Sequence, residues 1–400
     1  MKPSLLPGTI SPDNNSETFP LKGEPLCPPF SFNMRKTIID YGINLQETQI
    51  VKAFAIVLML IHHLFLDHPE FGLIPHSLAI AGKVCVALFV FLSGYGIAVT
   101  FPKNISGHLS VTKATLLFLG KRLVKFFLNY WVVFFIAIPI GVLCFNRSLE
   151  SAYGNTNVHI CFIRDVFGLQ GFNSYNITWW FNRLIIVLWL LFPILYWAMM
   201  SKIVSLSFLV FLFINPGDIL YVFELAAKGL SIYIFPFCIG IFAALHSERI
   251  NKILNIVPSR VVLYGSFIAT FCLFLLRGVP LASSFSYFRV DPFLTVALVL
   301  AIVSACRVTK LRFAMLQYVG RHSMNMYLTH TFILGYFFSE YIYGLKNPVL
   351  MFIAVFGASL FVSVVLEFIK RQSGFYRLQN WVAALLTKHI SLAGENSNKL

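Results

Sequence analysis

About ten long apolar runs follow one another along this 400-residue sequence, and lipid is the solvent that suits them. They lie at about 51–66, 79–100, 123–145, 184–200, 203–220, 230–246, 261–277, 291–306, 323–343 and 348–369. Backbone groups in lipid have to be hydrogen-bonded within their own segment, so each run is predicted to be a helix of roughly 20 residues. With 58% hydrophobic and 12% charged residues, the sequence predicts an all-α, polytopic transmembrane helical bundle of about ten spans.

The basic residues are divided unevenly between the two sides of such a bundle. When both termini are placed inside, 22 of the 31 Lys and Arg residues fall in the tails and inner loops, and seven fall outside. This positive-inside pattern predicts a multi-pass protein of the inner (cytoplasmic) membrane with both termini cytoplasmic. The net charge of +15 then faces anionic headgroups of the lipid bilayer, and we expect no nucleic-acid partner.

The composition changes at both ends of the chain. Residues 1–45 are predicted to be a polar cytoplasmic tail, 46–375 the transmembrane domain, and 376–400 a second cytoplasmic tail. The seven cysteines are scattered without the spacing of a metal site, so no metal is predicted.

Two ionisable residues share one face of the first apolar run. Lys52 and His63 are 11 positions apart, which returns a helix to within about 20° and separates them by about 16 Å along the axis. His62 points about 100° away from that face. Ionisable groups inside a membrane helix are candidates for function. The alternative is that Lys52 is an interfacial anchor and His63 a hydrogen-bonded core residue.

A basic motif opens the third run. Arg122 and Lys125 are three residues apart and lie on one helical face, with Lys121 beside them. Guanidinium and ammonium groups at this position suit the phosphates of a cytosolic cofactor. Ordinary anchoring at the inner membrane surface is the alternative.

Two more motifs lie within apolar runs. Ser93-Gly94-Tyr95 carries small residues that permit close approach of helices, so packing is its plainer interpretation. The segment from Val319 to His330 brings a second intramembrane histidine next to Tyr327, and a structural role for that histidine stays open.

An outer loop at 146–178 is rich in Asn, Gly and aromatic residues and leads into Trp179 and Trp180. Aromatic side chains at this position suit an interfacial aromatic belt.

Taken together and in this order, the motifs resemble integral-membrane acyltransferase family 3, whose members O-acylate surface glycans and exported small molecules. The resemblance covers about 50–375. The matched residues are Lys52 and His63, Phe91 to Tyr95, Arg122 and Lys125, Trp180 and Pro193, and then Val319, Gly320, Ser323, Tyr327, Leu328 and His330.

The resemblance implies a membrane-embedded O-acyltransferase. It would move an acetyl group from cytosolic acetyl-CoA to a hydroxyl of a cell-surface or exported sugar, either directly or through an acyl-histidine. The residues expected in the site are catalytic His63, Lys52 and His330, cofactor-binding Arg122, Lys125 and Lys121, and substrate-binding Trp179, Trp180, Ser93 and Tyr327.

The sequence departs from the family pattern in two ways. Many members carry a Glu pair where this chain has Ile185 and Ile186, so an acceptor role of such carboxylates has to be filled differently here. Lys52 and Lys125 stand where the family often has Arg, and Lys is a point charge without the bidentate fork.

Two other classes of membrane protein compete with the acyltransferase. In a transporter or flippase the intramembrane His and Lys would form a proton relay, but broken helices and pseudo-repeats are not evident. In a polysaccharide polymerase the key basic residues would lie in large outer loops, whereas here the basic clusters lie inside.

Overall fold

A computed structural model of the protein describes residues 42–105, 110–154, 157–171, 173–214, 227–278, 285–309 and 313–397. This part of the chain is helical throughout its regular structure and contains no β-strand. In chain order the helices are α1 (Leu45–Phe65), α2 (Leu73–Gly82), α3 (Val84–Ile105), α4 (Val111–Cys144), α5 (Leu149–Tyr153), α6 (Val158–Val166), α7 (Trp180–Met200), α8 (Lys202–Ile214), α9 (Leu230–Leu245), α10 (Ser247–Ile256), α11 (Ser259–Gly278), α12 (Phe285–Thr309), α13 (Ala314–Thr331), α14 (Ser339–Gly344), α15 (Pro348–Gln372) and α16 (Phe375–Ser397).

The described residues include seven helices that are long and apolar enough to cross a membrane, or eight if α9 and α10, bent by 78°, form one span. The prediction of a transmembrane helical bundle is therefore confirmed, and its count of ten is approximate. Two predicted spans fall short by length and composition. α8 has 13 residues, and α13 carries polar residues that are buried inside the bundle.

The bundle has two ends, which we name by what they carry. The basic end holds the first turns of α1 and α4 and the last turn of α12. There Asn44 caps α1 in a capping box with Glu47, and Arg307 Nε lies 3.3 Å from Glu47 Oε1. The loop end holds the C-terminus of α1, where Tyr343 donates a hydrogen bond to the Leu64 carbonyl, and the connection from α4 to α7.

Glycines bring two pairs of helices into close contact. A side chain at Gly320 would collide with the Gln49 carbonyl, so this glycine lets α13 pack directly on α1. Gly94 of α3 and Gly240 of α9 lie against each other's helices in the same way. The close approach expected around Ser93-Gly94-Tyr95 is thus present at Gly94.

Buried polar contacts hold the connection between α4 and α7 together. Asp165 accepts hydrogen bonds from the Tyr153 hydroxyl at 2.9 Å and the Tyr175 amide at 2.7 Å, and the Tyr130 hydroxyl donates to its carbonyl at 2.7 Å. Burial raises the pKa of Asp165 to about 6. These hydrogen bonds hold the connection between α4 and α7 in one conformation at the loop end.

The two predicted tails have different outcomes. Residues 1–41 lie outside the described residues. The C-terminal segment predicted from 376 onward forms α16, which packs against α4 with Leu386 facing Gly120.

Candidate functional site

A cavity of about 170 Å³ lies between α1, α3, α7 and α13, and we call it the site cavity. Four of the residues predicted for the site from sequence line it. Its lining residues are Lys52, Met59, His63, Cys85, Val86, Phe89, Thr178, Trp180, Phe181, Ser323, Met324 and Tyr327. The tertiary structure thus gathers one face of α1 and the start of α7 around a single space.

The spacing on α1 sets the length of the site cavity. Lys52 and His63 both line it although about 16 Å of helix separates them. Lys52 lies toward the basic end and His63 toward the loop end. The space is therefore long and narrow, and it extends along α1 from Lys52 to His63.

Two histidines meet at the loop end of the site cavity. The rings of His63 and His330 have centroids 5.1 Å apart. His330 Nδ1 lies 2.8 Å from the Tyr327 carbonyl, which can only accept, so Nδ1 carries the proton and Nε2 is the free acceptor. His330 Nε2 is buried and has no hydrogen-bond partner among the described residues. An unpaired buried acceptor beside a cavity can accept a hydrogen bond from a ligand, or from the His63 ring in another rotamer.

His62 is held away from this pair. Its Nδ1 lies 2.7 Å from the Ala79 carbonyl of α2, and the side chain is buried. It does not line the site cavity, although its ring contacts that of His63 at 4.9 Å. The structure therefore places the two neighbouring histidines as the helical facing argument predicts.

Hydrogen bonds hold Tyr327 at the start of α7. Its hydroxyl lies 2.9 Å from the Thr178 carbonyl and 3.1 Å from Asn182 Oδ1. Trp180 lines the site cavity, but Trp179 is buried elsewhere, with its indole nitrogen 3.2 Å from the Leu328 carbonyl. Of the two predicted tryptophans, only Trp180 faces the site.

The basic motif of α4 approaches the same cavity from the basic end. Arg122 lies over the Trp189 ring at 4.6 Å, and its buried Nε has no partner within the described part of the chain. Arg122 and Lys125 are close enough to Lys52 for their charges to act on it. Lys121 is half-buried beside Arg122, and Lys125 is exposed.

Ser93 does not line the site cavity. Its hydroxyl accepts a hydrogen bond of 2.8 Å from Trp189 Nε1, and Trp189 carries Arg122 on its ring. The next residues serve packing as well, since the Tyr95 hydroxyl accepts a 2.6 Å hydrogen bond from the Ile43 amide. The motif therefore positions Arg122 and the start of α1.

Several polar residues of the interior were not predicted from sequence. Lys370 is buried, and its amine donates to Asn129 Oδ1 and Asn325 Oδ1, both at 2.8 Å. Asn182 holds Tyr327, and Trp189 supports Arg122. The available signal was an amide inside an apolar helix at Asn129, Asn182 and Asn325.

The charged and polar groups around the site cavity indicate which ligands suit it. Among the described residues no group of three or more His, Cys, Asp or Glu could hold a metal ion. The unpaired Arg122 Nε and the nearby charges of Lys52 and Lys125 suit an anionic group at the basic end.

A model of the family described as "Acyltransferase domain" matches residues 46–368. No curated protein and no solved structure matches the chain. The match covers most of the sequence and includes every residue of the site cavity. The chain therefore belongs to acyltransferase family 3, an acyltransferase family of membrane-embedded helical proteins, as its ordered motifs predict.

Proposed function

We propose that the protein is an O-acyltransferase that moves an acetyl group from cytosolic acetyl-CoA to a hydroxyl of a cell-surface or exported sugar. The single observation that carries this proposal is the site cavity, which joins Lys52 at one end to His63 at the other. A narrow space of this kind fits a slender thioester arm entering from one side and an alcohol entering from the other.

His63 is the proposed base. A sugar hydroxyl is a poor nucleophile while it keeps its proton, and imidazole is the side chain best suited to take that proton near neutral pH. The hydroxyl oxygen attacks the thioester carbonyl carbon while His63 accepts the proton. The new C–O bond forms, the C–S bond breaks, and the imidazolium returns the proton to the departing thiolate.

His330 assists from the other side of the pair. Its Nδ1 is fixed by the Tyr327 carbonyl, so Nε2 is available to accept a hydrogen bond from His63 or from the attacking hydroxyl. The burial of Nε2 without a partner among the described residues supports a role in holding the reacting groups.

The basic end is the proposed donor side. Arg122, Lys125, Lys121 and Lys52 supply positive charge that suits the phosphates of acetyl-CoA. The Trp189 ring below Arg122 keeps the guanidinium in place. This assignment puts the basic end in the cytoplasm, with both chain termini, in agreement with the distribution of Lys and Arg.

The loop end is the proposed acceptor side. Trp180 and Tyr327 line the cavity next to His63 and offer an aromatic face and a hydroxyl. Ile185 and Ile186 are buried, so the acceptor meets no carboxylate at those positions.

A direct assay tests the function. Purified protein in lipid nanodiscs is supplied with acetyl-labelled acetyl-CoA and the de-O-acetylated surface glycan of the cells that make it. We expect label in the glycan, removable by mild base as an ester is. Glycan binding or passage across a membrane without any ester formed would instead indicate a transporter.

A further inference from the structure

A second cavity, of about 710 Å³, opens at the loop end, and we call it the loop-end cavity. Two arginines and two amides line it together with apolar side chains. The lining residues are Arg164, Leu169, Gln170, Gly171, Asn173, Arg183 and Val187. None of these residues lines the site cavity.

The first turn of α7 contributes residues to both cavities. Trp180 and Phe181 line the site cavity, and Arg183 lines the loop-end cavity. Three residues of helix rise only about 5 Å, so these lining residues are close together along α7.

The charge of Arg164 is not neutralised by the carboxylate that follows it in sequence. Asp165 follows Arg164 in sequence, but its side chain is buried and accepts hydrogen bonds from Tyr153 and the Tyr175 amide. Arg164 itself is exposed and forms no ion pair with any described residue.

We propose that the loop-end cavity binds the carboxylate of an acidic sugar, so that the acceptor is an acidic glycan. Arginine pairs with carboxylates through two parallel hydrogen bonds, and the amides of Gln170 and Asn173 suit sugar hydroxyls. A volume of about 710 Å³ is in the range of ligand pockets. This inference rests on the proposed function and names its substrate class.

The carboxylate then sets the position of the acylated hydroxyl. An acidic unit held by Arg164 and Arg183 directs the neighbouring unit past Trp180 toward His63. Discrimination would arise because a neutral unit offers Arg164 and Arg183 no charge-assisted hydrogen bond.

The test compares one glycan in two forms. The de-O-acetylated surface glycan is used with its carboxylates intact or reduced to alcohols, and the protein is placed in nanodiscs of zwitterionic lipid. We expect carboxyl reduction to lower kcat/KM by about tenfold or more, the loss of a charge-assisted pair. Arg183→Gln and Arg164→Gln should remove most of that preference, and Arg183→Lys should restore part of it. Lys346→Gln removes an equal charge from the same end outside the cavity and should keep the preference.

A binding arm separates failure of this inference from failure of the proposed function. Binding of both glycans is measured without acetyl-CoA, so it needs no transfer. Tighter binding of the acidic form that depends on Arg183 supports the inference even if no ester forms. Equal binding of both forms, or a native acceptor without carboxylates, overturns it. An effect of Arg183→Gln that appears only when phosphatidylglycerol is added also overturns it, because the cavity would then hold a lipid headgroup.

Discussion

At the scale of single residues, two adjacent histidines of α1 point into different surroundings. His63 lines the site cavity and faces His330, whereas His62 is hydrogen-bonded to the Ala79 carbonyl of α2. One step along a helix turns a side chain by about 100°. Neighbours in sequence therefore have different surroundings here.

We predict that His63→Ala abolishes transfer while the protein still inserts in the membrane. Loss of a general base lowers the rate by about 10²–10⁴. His62→Ala should be milder for transfer, because its ring does not line the cavity, and should mainly lower thermal stability by loss of the Ala79 contact. Initial rates with purified variants measure this. Near-normal transfer by His63→Ala together with loss of transfer in His62→Ala would mean that His62 is the base and His63 the structural residue.

Arg122 offers a second prediction at this scale. Arg122→Ala should weaken acetyl-CoA affinity by about ten- to a hundredfold, because a charge-assisted contact contributes roughly 1.5–3 kcal/mol. Trp189→Leu should weaken it less, through loss of the stacking partner. Titration of labelled acetyl-CoA into nanodiscs gives the affinities. Arg321→Ala, an exposed basic residue outside the site cavity, is the control and should bind normally. Unchanged acetyl-CoA affinity in Arg122→Ala would indicate that Arg122 only anchors the helix at the membrane surface.

At the scale of helices, the site depends on how closely α13 packs on α1. Gly320 meets the Gln49 backbone near the basic end, and His330 meets His63 near the loop end. The two helices thus run parallel, and the first contact fixes the register of the second.

A pair of glycine substitutions tests this packing. Gly320→Ala places a methyl group against the Gln49 carbonyl and should destabilise the protein by about 1–3 kcal/mol, as overpacking does, and lower transfer by displacing His330. Gly357→Ala of α15 meets nothing within 4 Å and should be neutral or slightly stabilising, since Ala favours helix. Thermal unfolding in detergent and transfer rates distinguish the two. Equal behaviour of both variants would contradict the register argument.

The connection from α4 to α7 carries a pH-dependent element. The pKa of Asp165 is raised from 3.8 to about 6, so the folded connection binds a proton that the unfolded chain releases near pH 4. Its stability is therefore greatest below about pH 4 and falls as the pH rises to about 6, by about 3 kcal/mol. Hydrogen exchange of residues 145–179 measures this. Asp165→Asn keeps an acceptor for Tyr153 and should remove the pH dependence; a dependence that survives it would have another source.

At the scale of the whole molecule, the two ends of the bundle carry different groups. Arg307 and the basic motif of α4 lie at one end, and the α4–α7 connection covers the other. We predict that a reporter fused at Ser110 reads cytoplasmic and one inserted at Gly171 reads external. Cysteine labelling from each side is an independent check. An external result at Ser110 would reverse the donor and acceptor sides.

From the sequence one can predict that the apolar runs lie in lipid, that they are helices, and which residues share a helical face. Apolar runs in lipid have no alternative to helix, and the face shared by Lys52 and His63 follows from helical period alone. These are local properties, which a single sequence contains. It also led to the correct family, because the order of several weak motifs is more specific than any one of them.

The tertiary structure alone decided which motifs meet. Ser93 belongs to the support of Trp189 and Arg122, and Trp179 packs in the interior while Trp180 lines the site cavity. The pairing of His63 with His330 joins residues far apart in the chain, and Arg164 and Arg183 from different helices line one cavity. Contacts between helices depend on close packing at positions such as Gly320, and neither helical period nor hydropathy specifies which neighbour a helix will choose.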